Sequence, residues 1–229
     1  MKLRLAPAVL LLVVAGCGGG SQTAAIPAGG ESTAATTSAT AAAPTPPGCT
    51  AVKKPPPKPN GKMKNRSTKL DPAKTWTAAV KTNCGTFAFE LDVRKAPNAT
   101  ASIAFLAGRR YFDRTIFHRI VPGFVIQGGD PTASGSGGPG YSTVDKPPRN
   151  ASYTQGVVAM AKGGNEPAGT AGSQFFVVTG PDAKLPPEYA VVGKITKGLD
   201  VVERIGKLGD QSEQPTTIVE IQSLRVQSS

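Results

Sequence analysis

The sequence predicts a mainly β domain of about 160 residues, a closed barrel or a sandwich, preceded by a long segment of different character. Short apolar runs separated by turns rich in Gly and Pro fill the chain from Trp76 to Val226, and only two stretches there show helical spacing. Upstream, 28 of the 31 residues from Gly18 to Gly48 are Ala, Thr, Gly, Ser or Pro. Such a segment buries too little apolar surface to offset the entropy of ordering it, so we expect a flexible tether.

The predicted domain begins with a hairpin and a helix. Residues 76–82 and 86–92 form two β runs around Asn83-Cys84-Gly85, and the second alternates large apolar residues with small or polar ones. This pattern predicts a half-buried antiparallel hairpin. A helix is expected from Pro97 to Gly108, because four apolar residues recur there at helical spacing between a proline that suits a first turn and a glycine that ends one.

The rest of the domain is predicted to be strands with one more helix. Five further apolar runs are short and separated by Gly/Pro turns, at residues 116–120, 124–127, 156–161, 175–179 and 190–195. A short helix is expected over 199–205, and a last strand near 218–226.

The positive charge lies mostly outside this domain. The 229 residues carry a formal net charge of +11, yet from Leu70 onward there are 17 basic and 14 acidic residues, whereas residues 53–69 hold seven basic residues and no acidic one. A nucleic-acid-binding core is therefore not expected. A multi-span membrane protein is excluded, because the longest uncharged apolar stretch, residues 5–16, falls short of the roughly 20 residues that cross a bilayer.

The N-terminus has the features of an export signal. Lys2 and Arg4 precede an apolar run, and Val14-Ala15-Gly16-Cys17 resembles the lipobox of bacterial lipoproteins, in which the cysteine is lipidated and becomes the first mature residue. The resemblance implies a signal peptide at 1–16, a lipidated Cys17 opening a linker at 17–69, a domain at 70–229, and an extracytoplasmic protein anchored to the cell membrane. An ordinary cleaved signal peptide and a buried strand are the alternatives.

The basic Pro-rich run at 53–69 is interpreted as a stiff, solvated spacer. It could instead dock on a partner, or rest on anionic lipid or wall polymer. With Cys17 lipidated, Cys49 and Cys84 remain as an even pair in an oxidising compartment, and we predict a disulfide between them. The alternative is that Cys84 is a small free residue in a turn.

The sequence lacks the residues that several common enzyme mechanisms require. Residues 135–140, Gly-Ser-Gly-Gly-Pro-Gly, match a dinucleotide pattern, but Pro139 removes an amide and further prolines flank an irregular loop. His118 is the single histidine, and no His/Cys/Asp cluster has metal-ligand spacing. No G-x-S-x-G elbow is present. We therefore expect no metal and no cofactor.

Two segments carry a specific resemblance. Residues 117–130 are Phe-His-Arg-Ile-Val-Pro-Gly-Phe-Val-Ile-Gln-Gly-Gly-Asp, and residues 172–176 are Gly-Ser-Gln-Phe-Phe. Both closely resemble the signature segments of the cyclophilins, peptidyl-prolyl cis-trans isomerases, and the likeness runs from about Thr77 to Val226. It implies a closed eight-stranded antiparallel β-barrel capped by two helices.

The resemblance also implies residue roles. Arg119 would hold the prolyl carbonyl and donate toward the imide nitrogen, acting with Phe124 and Gln127 as the catalytic residues. The substrate-binding residues would be Phe124, Val125, Gln127, Gly135, Ala161, Lys162, Gly163, Gln174, Phe176, Leu185 and Tyr189. Taken singly, the apolar members are more often core residues and Arg119 a surface residue; the interpretation depends on their arriving together.

Departures from the family pattern affect one side of the predicted groove. Val125 stands where many members have methionine, and Lys162 where many have asparagine. Lys-Leu-Pro-Pro-Glu-Tyr at 184–189 replaces the common Trp-Leu-Asp-Gly-Lys-His, which implies weakened cyclosporin binding. The expected protein is a monomeric, lipid-anchored isomerase acting on proline-containing exported polypeptides. A proline-binding module or chaperone with weak turnover is the alternative, and an inert spacer is a third.

Overall fold

The computed structural model describes residues 45–229. The predicted signal peptide, Cys17 and most of the Ala/Thr-rich tether lie outside the described residues. The described part contains eleven strands and two helices: β1 Trp76–Thr82, β2 Gly85–Leu91, α1 Pro97–Gly108, β3 Thr115–Ile116, β4 Arg119–Val121, β5 Val125–Gly128, β6 Thr143–Val144, β7 Val157–Met160, β8 Thr170–Ala171, β9 Phe175–Val178, β10 Val191–Lys197, α2 Leu199–Gly206 and β11 Glu220–Ser228.

Nine strands form one curled antiparallel sheet in the order β3-β11-β1-β2-β10-β7-β9-β5-β4, and β6 pairs separately with β8. The mainly β class and the two helices are as predicted, but the closed eight-stranded barrel is wrong. The sheet is open between β3 and β4, which are successive pieces of one chain separated only by Phe117 and His118. Strand β3 pairs with β11, and β4 pairs with β5. Because only two residues separate β3 from β4, they follow one another along the chain and cannot lie side by side as a hydrogen-bonded pair.

Alternation along the central strands divides the buried side chains between two clusters. On β9, Phe175 and Val177 pack in the main core, whereas Phe176 and Val178 pack in a second cluster on the other face. Strand β7 divides in the same way, with Met160 in the main core and Ala159 in the second cluster. These strands are continuous apolar runs because both of their faces are covered. We call the second cluster the outer cluster.

The first helix begins at Pro97, where a proline costs no intrahelical hydrogen bond. The Asp145 carboxylate, distant in sequence, accepts hydrogen bonds from the Asn98 and Ala99 amides at 3.0 and 2.6 Å. It thereby satisfies two of the free amides of the first turn. The second helix packs on β2, β4 and β5. Within residues 45–229, the structure contains no helix both long and apolar enough to span a bilayer.

The segment before β1 lies on the domain surface. Cys49 and Cys84 are joined in a disulfide in the structure, and Asn83 Nδ2 donates to the Thr50 carbonyl at 2.7 Å. Farther along, the Lys58 amide donates to the Pro131 carbonyl at 2.8 Å. The stiff, solvated spacer predicted for residues 53–69 is therefore wrong at residues 58–63, which are hydrogen-bonded to the domain. We call residues 49–63 the arm.

Candidate active site

Three adjacent strands bring the central site residues side by side. Arg119 on β4 is directly opposite Gln127 on β5, and Gln127 is directly opposite Phe176 on β9. Residues opposite one another in antiparallel strands have their side chains on the same face. The sheet register therefore places a guanidinium, a carboxamide and an aromatic ring in one row, at the edge of the outer cluster.

Arg119 is held by a carboxylate that the sequence did not suggest. Its Nε donates to Glu213 Oε2 at 2.6 Å, and the Ile120 amide donates to the Glu213 carbonyl at 3.0 Å. The Arg119 side chain is 31% exposed, so the ion pair is partly screened by solvent. The structure gives the two Nη atoms of Arg119 no hydrogen-bond partner within residues 45–229. The guanidinium is thus fixed from one side and has donors to spare on the other.

The apolar members of the predicted site lie together as a socket. Val125 and Phe176 are buried in the outer cluster, and Phe124, Leu185 and Tyr189 are half-buried against it. The guanidinium carbon of Arg119 lies 5.9 Å from the centre of the Phe124 ring. The socket is therefore an apolar surface with a cation at its rim, which suits a small apolar ring attached to a polar amide.

A tyrosine pair forms one wall of the socket. The Phe176 and Tyr189 rings meet edge to face at 5.5 Å, and Tyr153 packs on both. The Tyr153 hydroxyl donates to the Tyr189 carbonyl at 2.9 Å and accepts from the Tyr189 amide at 3.0 Å. Lys162 Nζ pairs with Glu188 at 3.0 Å and lies over the Tyr189 ring. Tyr153 is thus a supporting residue that sequence reasoning missed.

The remaining members of the predicted site, together with Gln127, line a cavity of about 600 Å³ beside the socket, which we call the side pocket. Its lining includes the predicted residues Gln127, Gly135, Ala161, Lys162, Gly163 and Gln174. Gln127 Nε2 donates to Gln174 Oε1 at 2.9 Å, and Gln174 Nε2 donates to the Gly135 and Gly137 carbonyls at 2.9 Å each. This chain fixes the orientation of Gln127 beside Arg119.

The loop that forms one wall of the side pocket, residues 131–140, is organised by Asp130. Its buried carboxylate accepts hydrogen bonds from the amides of Thr132, Gly135 and Gly137 at 2.7, 2.6 and 3.1 Å. Burial alone would raise the pKa of Asp130, but these hydrogen bonds outweigh it and hold the pKa below its usual value. An added Cβ at Gly137 would lie 2.0 Å from Asp130 Oδ1, so this position needs glycine.

The comparisons with known proteins agree with this geometry. The model of the family described as cyclophilin type peptidyl-prolyl cis-trans isomerase matches residues 77–226. The chain belongs to the cyclophilin family. Peptidyl-prolyl cis-trans isomerase-like 1 of Neurospora crassa is 40% identical over 153 residues, covering 65% of this chain and 92% of that protein. The peptidyl-prolyl cis-trans isomerase of Helicobacter pylori is 40% identical over 141 residues, covering 60% and 84%.

A solved structure extends the likeness to three dimensions. A Cryptosporidium parvum cyclophilin type peptidyl-prolyl cis-trans isomerase, crystallised in the presence of the dipeptide Ala-Pro, has a TM-score of 0.61 and 32% identity. The comparison covers 67% of this chain and 99% of that one. This cyclophilin is therefore a peptidyl-prolyl cis-trans isomerase, whose substrates are proline-containing peptides. The family match begins at Thr77, so the arm lies outside it.

Proposed function

We propose that this isomerase accelerates X-Pro isomerisation during the folding of exported proteins, from a lipid anchor at Cys17. Rotation about the imide bond meets a barrier of about 18–20 kcal/mol from amide resonance, so uncatalysed exchange takes tens of seconds or more. The reaction breaks no covalent bond. It requires fixed donors that favour the twisted amide over both planar ones.

The observation that supports this mechanism is the row of Arg119, Gln127 and Phe176 on three neighbouring strands. In the proposed mechanism the proline ring lies on Phe176, Phe124 and their neighbours in the socket. The free Nη donors of Arg119 hold the prolyl carbonyl and donate toward the imide nitrogen as resonance is lost. A guanidinium suits this role because it is charged at any working pH and presents several donors in one plane.

Magnetisation-exchange NMR on an Ala-Pro peptide tests the mechanism. We expect Arg119→Ala to slow catalysed exchange at least a hundredfold, because its charged donors act where charge develops. Arg149→Ala is the matched control, since Arg149 is exposed and lies outside the groove. Equal exchange rates in wild type and Arg119→Ala, with both folded, would rule out Arg119 as the catalytic residue.

The same measurement separates the alternative function. A surface-anchored binding module or chaperone would shift the peptide resonances on binding, yet leave cis-trans exchange at its uncatalysed rate. An inert spacer would do neither. The apolar socket beside free guanidinium donors favours the isomerase, because simple binding of a proline ring does not require donors aimed beside it.

Location and ligand preference need separate tests. The export proposal depends on the lipobox at residues 14–17 and on the Cys49–Cys84 pair, which suits an oxidising compartment. Labelling of cells with an alkyne fatty acid should mark the wild type and fail to mark Cys17→Ala; equal labelling of both would contradict lipidation there. Weak cyclosporin binding remains a prediction from residues 184–189, measurable by calorimetry against a relative that has the common tryptophan.

A further inference from the structure

The arm is hydrogen-bonded along the 131–140 loop. The Gly61 amide donates to the Gly138 carbonyl at 3.0 Å, and the Met63 amide donates to the Pro139 carbonyl at 2.8 Å. In the other direction, the Gly138 amide donates to Asn60 Oδ1 at 2.9 Å. Together with the hydrogen bond from the Lys58 amide to the Pro131 carbonyl, these contacts seat residues 58–63 of the arm on the loop that forms one wall of the side pocket.

Lys58 anchors the arm at this place. Its Nζ donates to three backbone carbonyls, those of Arg110, Tyr111 and Asp113, at 3.0, 2.5 and 2.9 Å. These three acceptors match the three protons of an ammonium group. The aliphatic stem is half-buried and Nζ lies 5.7 Å from the centre of the Tyr111 ring. This is a built contact for one particular lysine, unlike the neighbouring exposed basic residues.

The domain surface has room for the arm only because of a glycine. Gly140 has a φ of +98°, and a Cβ added there would lie 2.5 Å from the Gly61 carbonyl oxygen. Any other residue at 140 would therefore push against the arm backbone as well as strain its own. The same short segment is therefore fitted to the domain at two different points, by the Lys58 anchor and by the close approach of Gly61 to Gly140.

The arm reaches the groove itself. Asn60 and Gly61 line the side pocket together with Gln127 and Gln174, the two residues that orient the site. Most of the other lining groups are loop backbone or polar, including Glu166, whose Oε2 accepts from the Gly163 amide at 2.5 Å. A bulky aliphatic side chain in this pocket would cover polar groups without replacing their hydrogen bonds to water, whereas a small polar side chain would replace them.

We propose that residues 58–63 of the arm are a specificity-determining element, which makes the isomerase prefer substrates with a small, hydrogen-bonding residue flanking the Ala-Pro unit. The inference rests on the proposed function, because the side pocket adjoins the socket through Gln127. The socket takes the proline ring in every substrate. The side pocket takes a flanking side chain, and Asn60 and Gly61 set how much space and which polar groups it meets.

Peptides that differ only in the flanking residue test this proposal. Exchange rates are measured for Ala-Pro and for Xaa-Ala-Pro-Phe and Ala-Ala-Pro-Xaa, with Xaa either Ser or Leu. We expect wild type to favour Ser over Leu in at least one series. Asn60→Ala should reduce that preference about three- to tenfold, as the loss of one hydrogen-bonding group implies. Lys58→Met, which removes the three hydrogen bonds of the Lys58 ammonium and so loosens the arm, should also reduce it.

Lys62→Met is the matched control, because Lys62 is exposed and belongs to the same segment. Lys62→Met should exchange Ala-Pro within about twofold of wild type and keep the full Ser/Leu preference. For the other two variants the readout is the ratio of the Ser and Leu rates, since Ala-Pro has no flanking residue to enter the side pocket. A wild type without Ser/Leu preference, or variants that keep the full preference, would overturn the proposal. Loss in Lys58→Met alone would assign the selectivity to the position of the arm. Failure of wild type on Ala-Pro would contradict the proposed function instead.

Discussion

The socket and the side pocket lie next to each other, but the first is formed by side chains and the second largely by loop backbone. The socket consists of Phe124 and side chains from β5, β9 and the 183–189 segment, packed as one apolar cluster. The side pocket consists largely of loop backbone, with glycines at 135, 137, 138, 140, 163 and 172. Changes of residue type therefore alter the socket directly, whereas the shape of the side pocket depends on how its loops and the arm are held.

The largest expected effect concerns the disulfide that ties the arm to the β1–β2 turn. The double variant Cys49→Ala/Cys84→Ala should unfold with a free energy lower by about 2 to 4 kcal/mol, because a crosslink over 35 residues restricts the unfolded chain. Denaturant unfolding measures this loss. Exchange of Ala-Pro should be unchanged under native conditions, since among residues 45–229 the outer cluster that forms the socket includes no residue of the arm.

Reduced wild type is the control for the disulfide, because it keeps both cysteines. It should match the double variant in stability. Two free thiols found by mass spectrometry in the untreated protein, together with equal stability of wild type and variant, would contradict the pairing.

Two neighbouring phenylalanines on β9 lie on opposite faces of the sheet, so substituting each one tests the socket and the main core separately. Phe176 faces the socket, and Phe175 packs in the main core against Phe89, Phe112 and Phe117. Phe176→Leu should lower kcat/KM for Ala-Pro about tenfold, because it removes an aromatic surface from the proposed proline site. Both substitutions should lower the free energy of unfolding by a similar amount, about 1 kcal/mol. Phe175→Leu should nevertheless leave kcat/KM within about threefold of the wild-type value. Equal kinetic losses in both would show that the effect is general repacking.

A smaller effect is expected at Glu213, which positions Arg119. Glu213→Ala should lower kcat/KM about three- to tenfold, as expected for a hydrogen bond to a charged group at a partly exposed site. Glu213→Gln, which keeps an acceptor oxygen, should recover part of the loss. The Nε–H resonance of Arg119 should shift in Glu213→Ala. Glu90→Gln, which removes an exposed carboxylate elsewhere in the domain, serves as the control. If Glu213→Ala leaves both kcat/KM and the Arg119 resonance unchanged, the positioning role of Glu213 is excluded.

The difference between the two regions also explains what the sequence could predict. The strand containing Phe175 and Phe176, the first helix and the socket residues follow from local patterns and from a family resemblance in consecutive residues. Glu213 lies 94 residues from Arg119 and belongs to a turn without a recognisable pattern, so nothing local points to the ion pair. The arm was missed for a related reason: its proline and lysine content is typical of a solvated spacer, and its contacts depend on the shape of a distant loop.

The smallest effect is a pH dependence from His118, a buried ring that is influenced by the charges of both Arg119 and Asp130. Burial lowers the pKa of His118 from its ordinary 6.5, the charge of Asp130 opposes this, and Arg119 adds to it. The folded protein therefore keeps the ring neutral where the unfolded chain binds a proton. Stability should be full above about pH 6.5 and fall as the pH drops toward the lower folded-state pKa, by at most about 1.4 kcal/mol per pH unit. Urea unfolding of wild type and His118→Asn between pH 7.5 and 5.5 measures the difference; parallel pH profiles would mean that the buried imidazole does not titrate differently on folding.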